Sequence, residues 1–347
     1  MLNADVTASF PHIPGYLDTA SYGLPAHATA AALASAVRDW SVAATDPYAL
    51  DSSVDRMRAA YASIVGADAS DIALAGSVSQ MVGIVAASLP DGARVLAVQG
   101  DFSSVVYPFL ADPRLEVLQV PLDRLIDHVR PGIDLVAVSS VQSRDGAVAD
   151  LTALAMTARA AGVKTLVDVS QSAGWLPVHA RDFDVVVAGA YKWLTCPRGI
   201  VLAAIHPSAD WIRPVCASWY GSDDPWGSLY SPELRLSKGA RRLDTSPPWQ
   251  LVEAAAVALE TLARQDISAS YTYCVGLANN FRIQMGMGAV TSAIVAVCDV
   301  NPGALAAAGI RASARAGNAR LSFYIYNDDS DVEAAVRAVG ARRLQHA

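Results

Sequence analysis

The stretch Lys164–Ile200, KTLVDVSQSAGWLPVHARDFDVVVAGAYKWLTCPRGI, decides the fold. It holds two short apolar runs rich in β-branched residues, bounded by turn formers, as buried strands are. The first, KTLVDV, closes on an acid, Asp168, with Gln171 three residues on. The second, DVVVAGA, runs into Lys192 and then a Pro-Arg-Gly turn. The two runs thus end in a carboxylate and an amine.

Working outward, runs of the same kind recur at 71–75, 94–99, 115–120, 134–140 and 199–205. Ala-rich helical patterns lie between them at 25–44, 53–65, 79–89, 103–111 and 150–161. Alternation of this kind predicts an α/β fold, a mostly parallel mixed sheet flanked by helices. The 199–205 run follows 184–190 after too short a connection for a parallel crossover, so that pair is expected to be antiparallel. Residues 207–248 are rich in Pro, Trp, Gly and Ser and read as a long functional loop region. A helix over 248–265 follows, then strands near 293–299 and 319–326 and a last helix over 329–340. The expected division is a large domain over 16–247 and a small α+β C-terminal domain over 248–347, joined by 1–15.

The 347 residues are 53% hydrophobic and 17% charged, which predicts a large core and no disorder. A net charge of -7 and a pI near 5.3 argue against an unaided nucleic-acid or anionic-membrane surface. No apolar run approaches membrane-spanning length, and the N-terminus lacks a signal-peptide pattern. The four cysteines form neither a CxxC motif nor a disulfide framework, and the six histidines form no HxxxH or HExxH pair. A cytoplasmic protein without a metal is the expectation.

Several separated motifs in order, from about Tyr16 to the last helix, resemble the class V aminotransferase family. That family includes cysteine desulfurases, isopenicillin epimerase-like enzymes and kynureninase. The resemblance implies pyridoxal 5'-phosphate (PLP) fold type I and PLP as cofactor. It makes Lys192 the Schiff-base lysine and Asp168 the partner of the pyridine nitrogen, whose protonated ring withdraws electrons from the substrate's α-carbon. The residues agree: an amine at the end of an apolar strand is desolvated, which lowers its pKa and frees it as nucleophile and base.

The resemblance assigns further positions. The turn at Gly76–Gln80 is the phosphate cradle, with Ser77 and the backbone of Val78 opening a helix. Phe102 stands where many relatives carry a ring-stacking histidine; a phenyl face stacks but moves no proton. Gln142 aligns with an Asn that meets the cofactor's phenolic oxygen, and Gln171 is the better-matched partner for that oxygen. Tyr191 reads either as a phosphate or substrate contact or as packing. Thr245 and Ser246 read either as reaching the neighbouring subunit's phosphate, which implies a homodimer with shared active sites, or as the cap of the following helix. Arg320 aligns with the arginine that grips the substrate carboxylate, where a planar fork suits two oxygens. Ala20 and Ser21, in YLDTASYGLP, border the substrate.

The expected substrate is a small molecule, an amino acid, and the expected reaction is transamination. Alternatives are C–S bond cleavage by β-elimination from a cysteine derivative, and desulfurase- or epimerase-like activity. A persulfide-forming desulfurase needs a cysteine on a loop shortly before Arg320, and the chain has none there. Cys298 reads as a buried structural thiol. Cys196, four residues after Lys192, matches no sulfur acceptor. The aromatic loop 218–236 reads as a pocket lining, a dimer contact or plain packing.

Overall fold

The computed structural model describes residues 1–346, with side chains up to 340. Seven strands form the main sheet: β1 Ile72–Ala75, β2 Arg94–Val98, β3 Glu116–Val120, β4 Leu135–Ser139, β5 Lys164–Asp168, β6 Val185–Gly189 and β7 Val201–Ile205. Their spatial order is β1-β7-β6-β5-β4-β2-β3. Only β7 runs backwards; it is antiparallel to both β1 and β6, and the other pairs are parallel. This is the mixed, mostly parallel sheet expected, including the reversed 199–205 strand.

Period-two alternation sends the strand side chains into two cores. Val136, Val138, Val167 and Val186 face one layer of helices. Leu135, Ala137, Leu166 and Val185 face the other. Burial on both faces explains why these strands read as continuous apolar runs. The flanking helices carry local start and stop signals. Asp46 caps the Pro47–Val65 helix, which Gly66 ends in the left-handed conformation. Asp150 caps Leu151–Ala161 in the same way.

A second sheet joins β8 Ile294–Val297, β9 Ser313–Arg315 and β10 Asn318–Ser322, all antiparallel, in the order β8-β10-β9. Its core includes Phe281, Val295, Leu321 and Val332 with Leu17 from the N-terminal segment. Val252, Ala255 and Leu259 of the Trp249–Ala263 helix join the first large core, so that core continues past residue 248.

The C-terminal third departs from expectation in three places. An 18-residue helix, Ile267–Gln284, fills a region left without an element. The strand expected over 319–326 ends at Ser322, and Phe323–Tyr326 leave the sheet as buried chain. Cys298 lies one residue beyond β8 and is exposed, not a buried core thiol. Among the described residues, no helix is long and apolar enough to cross a membrane.

Candidate active site

Because β1, β5 and β6 point the same way, their carboxyl ends open on one edge of the sheet, and ligands of α/β folds bind there. Beyond those ends lies a cavity of about 300 Å³. Gly76, Ser77 and Val78 after β1, Asp168 at the end of β5, and Tyr191 and Lys192 after β6 line it, with Phe102 and Arg198. Of the residues singled out in the sequence, the structure brings together Ser77, Val78, Phe102, Asp168, Tyr191 and Lys192.

Lys192 is buried, and burial pushes its pKa down to about 8, against the upward pull of Asp168. Its amine lies 5.2 Å from the centre of the Phe102 ring and 5.7 Å from that of Tyr191. Among the described residues it has no hydrogen-bond or ion-pair partner. Asp168 is also buried, and burial raises its pKa. One carboxylate oxygen accepts from the Ser170 backbone N–H at 2.7 Å, and the Ser170 hydroxyl also pulls against the rise. A buried amine and a buried carboxylate thus face one cavity, an arrangement that is costly without compensating partners.

Ser77 caps the Val78–Ser88 helix by accepting from the Gln80 N–H at 3.2 Å. The Gln80 side-chain amide oxygen in turn accepts from the Gly76 N–H at 2.9 Å. Among the described residues the Val78 and Ser79 N–H groups at the helix start have no hydrogen-bond partner, a site that suits an anion. These observations fit PLP: an amine for its aldehyde, an acid for its ring nitrogen, a helix start for its phosphate and an exposed Phe102 face for its ring.

Four of the assigned residues do not line this cavity. Gln142 is buried, donates to the Ser139 carbonyl at 3.3 Å and lines a neighbouring cavity, not this one. Its longer side chain turns away from the Lys192 cavity. Gln171 is committed elsewhere: its amide donates to the Ala20 carbonyl at 2.9 Å and to Ser143 at 3.1 Å, and its oxygen accepts from Trp193 at 2.8 Å. Thr245 is half-buried and Ser246 exposed, and neither lines the cavity of its own chain. The cap position of the following helix is Pro248, so Ser246 does not cap it.

Arg320 is sealed, with a side chain 0% exposed. Its guanidinium donates to Ser143 (2.6 Å to the carbonyl, 3.0 Å to the hydroxyl), to Ser21 at 2.8 Å and to Ser313 at 3.1 Å. Burial lowers its pKa to about 10. The fork is therefore not open to a ligand. Arg315, which the sequence reading missed, is less buried and reaches the same Ser21 hydroxyl at 3.3 Å. It ends β9, a three-residue strand that gave no sequence signal. Ala20 sits behind this group, its N–H donating to Ser322 at 3.0 Å.

The N-terminal segment is stitched to the lysine loop. The Gly23 N–H donates to the Tyr191 carbonyl at 3.0 Å. A β-carbon at Gly23 would sit 1.9 Å from the Lys192 carbonyl oxygen, so only glycine permits this approach. On the other side, Tyr324 donates to the Trp193 carbonyl at 2.6 Å and packs edge-on against its ring, 5.2 Å between centres. Trp175 stands 5.5 Å from Trp193. Cys196 is buried and its thiol is pushed well above the ordinary range. Trp219 and Trp226 of the 218–236 loop pack with Tyr48 and Trp249, outside the cavity.

Residues 106–215 match the family model described as aminotransferase class-V. The chain is 26% identical over 310 residues to an uncharacterised aminotransferase, YcbU, of Bacillus subtilis, covering 82% of each chain. It is 28% identical over 264 residues to a kynureninase of Deinococcus radiodurans, covering 71% of this chain and 62% of that one. Among solved structures, it superposes on the cysteine desulfurase CsdA of Escherichia coli with a TM-score of 0.81 at 21% identity, covering 99% and 98% of the two chains. It superposes on the cystine C–S lyase C-DES with a TM-score of 0.82 at 17% identity, covering 93% and 96%. Likeness at those identities establishes the fold, which is PLP fold type I. The family match over residues 106–215 and the fold make the chain similar to the aminotransferase class-V family, and PLP is the cofactor this likeness indicates.

Proposed function

We propose that the enzyme transaminates an amino acid, with Lys192 as the group that carries both cofactor and proton. The observation that supports this most is the cavity's base inventory. Of the side chains lining it, only the Lys192 amine combines burial with a pKa near 8, where an amine can give and take a proton at neutral pH. Among the described residues no histidine lines it, and Phe102, which lines it, can neither give nor take a proton. Inverting an α-carbon calls on proton carriers on two faces, so a single amine favours transamination over racemisation. A nucleophilic thiol is missing from the lining as well, which argues against persulfide chemistry.

When bound, PLP supplies an aldehyde for amines and a protonated ring that draws electrons from the substrate's α-carbon. The protein's part is placement. Asp168, buried away from water, holds a positive charge at the ring nitrogen. The helix start at Ser77 and Val78 binds the phosphate. Phe102 covers one ring face with apolar surface and excludes water from it. Tyr191 shields the Lys192 amine. Arg315 and Ser21 form the approachable side of the carboxylate site, and Arg320 fixes Ser21 and Ser143 from behind.

A second copy of the chain completes the site in this proposal. Ser77 and Phe102 are exposed in the single chain, and Thr245 and Ser246 lie outside their own cavity, free to face a neighbour's. The test is a panel of amino acids with the holoenzyme, with and without an acceptor keto acid. Sustained keto acid formation only when the acceptor is present supports transamination. Pyruvate with ammonia or sulfide, formed without an acceptor, points to elimination and overturns it.

A further inference from the structure

Arg198 lines the cavity, yet nothing above gives it a task. We propose that Arg198 binds the cofactor's phosphate, closing the anion site that the Val78–Ser88 helix begins. The inference rests on PLP being the cofactor and is independent of which reaction follows.

Strand register carries the argument. β1 and β7 are antiparallel, with Ala75 opposite Val201. Following both chains past that pair brings Ser77 and Val78 to the level of Gly199 and Arg198, and all four line the same cavity. Arg198 thus enters the site at the helix start, not at the Ser21–Arg320 end where a substrate carboxylate belongs.

Charge and geometry agree with this placement. The guanidinium stacks on the Tyr191 ring at 5.0 Å. Stacking uses the face of the planar group and leaves its edge donors free for oxygen ligands. Among the described residues Arg198 makes no ion pair and no hydrogen bond, although the chain carries more acids than bases. A phosphate dianion needs more compensation than a helix end, worth roughly half a charge, can give. Lys192 and Arg198 are the cations among the lining residues, and Lys192 lies deeper, in the field of Asp168. Arg198 remains for the phosphate, where a bidentate contact is available.

The test compares PLP with pyridoxal, which lacks the phosphate. Apo-protein is titrated with each, following the absorbance of the bound chromophore, for the wild type, Arg198→Ala and Arg198→Lys. The Ala variant is expected to lose about 10- to 100-fold in PLP affinity, the worth of charged hydrogen bonds, with pyridoxal affinity unchanged. The Lys variant should recover part of the loss. Inorganic phosphate should compete with PLP for the wild type and lose that effect in Arg198→Ala. Arg198 is exposed, so the variant should melt as the wild type does. Equal losses for PLP and pyridoxal, or no loss for PLP, would overturn the assignment. A change confined to the KM of the amino acid would overturn it in favour of a substrate contact. Failure of the wild type to bind either compound would instead defeat the cofactor reading, and this inference with it.

Discussion

Replacing Lys192 by methionine should stabilise the apo-protein, and the gain should depend on pH. The amine is buried, and its pKa falls from 10.5 to about 8, with desolvation the main cause. The attraction of Asp168 is already contained in that value. Below pH 8 the amine is charged in both the folded and unfolded chain, and folding bears the whole cost of desolvating it. Between pH 8 and 10.5 the folded chain sheds its proton first, so the unfolded chain holds more protons and stability rises with pH. From these two pKa values the cost is about 3 kcal/mol at pH 7 and about 1 kcal/mol at pH 10. Methionine fills similar space without the charge, so Lys192→Met should exceed wild type by roughly that amount at pH 7. Most of the gain should vanish at pH 10. Urea unfolding of both apo-proteins at the two pH values reads this directly, and any constant packing gain cancels in the comparison. An equal gap between the two proteins at pH 7 and pH 10 would refute the claim that burial strains this amine.

Asp168→Ala should keep the fold and melt near the wild type, because its one backbone partner is a turn N–H, while turnover falls by at least ~100-fold. Near-native turnover would remove Asp168 from the chemistry. Arg320→Ala should cost about 1–3 kcal/mol of stability, since it strips partners from Ser21, Ser143 and Ser313. Arg315→Ala should leave the melting temperature in place and raise the KM for the amino acid; chemical denaturation and steady-state kinetics separate the two. In native protein a thiol reagent should label Cys216 and Cys298 quickly and leave Cys196 and Cys274 untouched until the chain unfolds, because the first two are exposed and the others buried. Fast labelling of Cys196, checked by mass spectrometry, would reopen a sulfur role for it.

The main sheet was legible because its strands, apart from the largely exposed edge strand β3, are buried on both faces and read as apolar runs between turns. The reversal of β7 followed from chain length alone. Lys192 and Asp168 stood out because charged groups at the ends of such runs are costly without a task. The Ile267–Gln284 helix escaped notice because its Ser, Tyr, Asn and Gly content is poor in helix formers; tertiary packing of Leu277, Ala278 and Phe281 sustains it. Gln171 and Gln142 could be placed near the site but not aimed, since an amide's partners are set by distant segments such as Ala20 and Trp193. Arg320 illustrates the same limit: its strand position was readable, but the three serines that enclose it come from residues 21, 143 and 313.

The pair formed by Trp193 and Tyr324 gives the enzyme a built-in optical gauge. Trp193 is next in sequence to Lys192 and wholly buried, with a second indole, Trp175, at its side. A chromophore tethered to the neighbouring lysine would quench this emission, so ultraviolet fluorescence alone could count loaded sites. The Tyr324 hydroxyl that grips the Trp193 carbonyl belongs to the chain leaving the smaller sheet, so the same signal would also register any rocking of that sheet against the lysine.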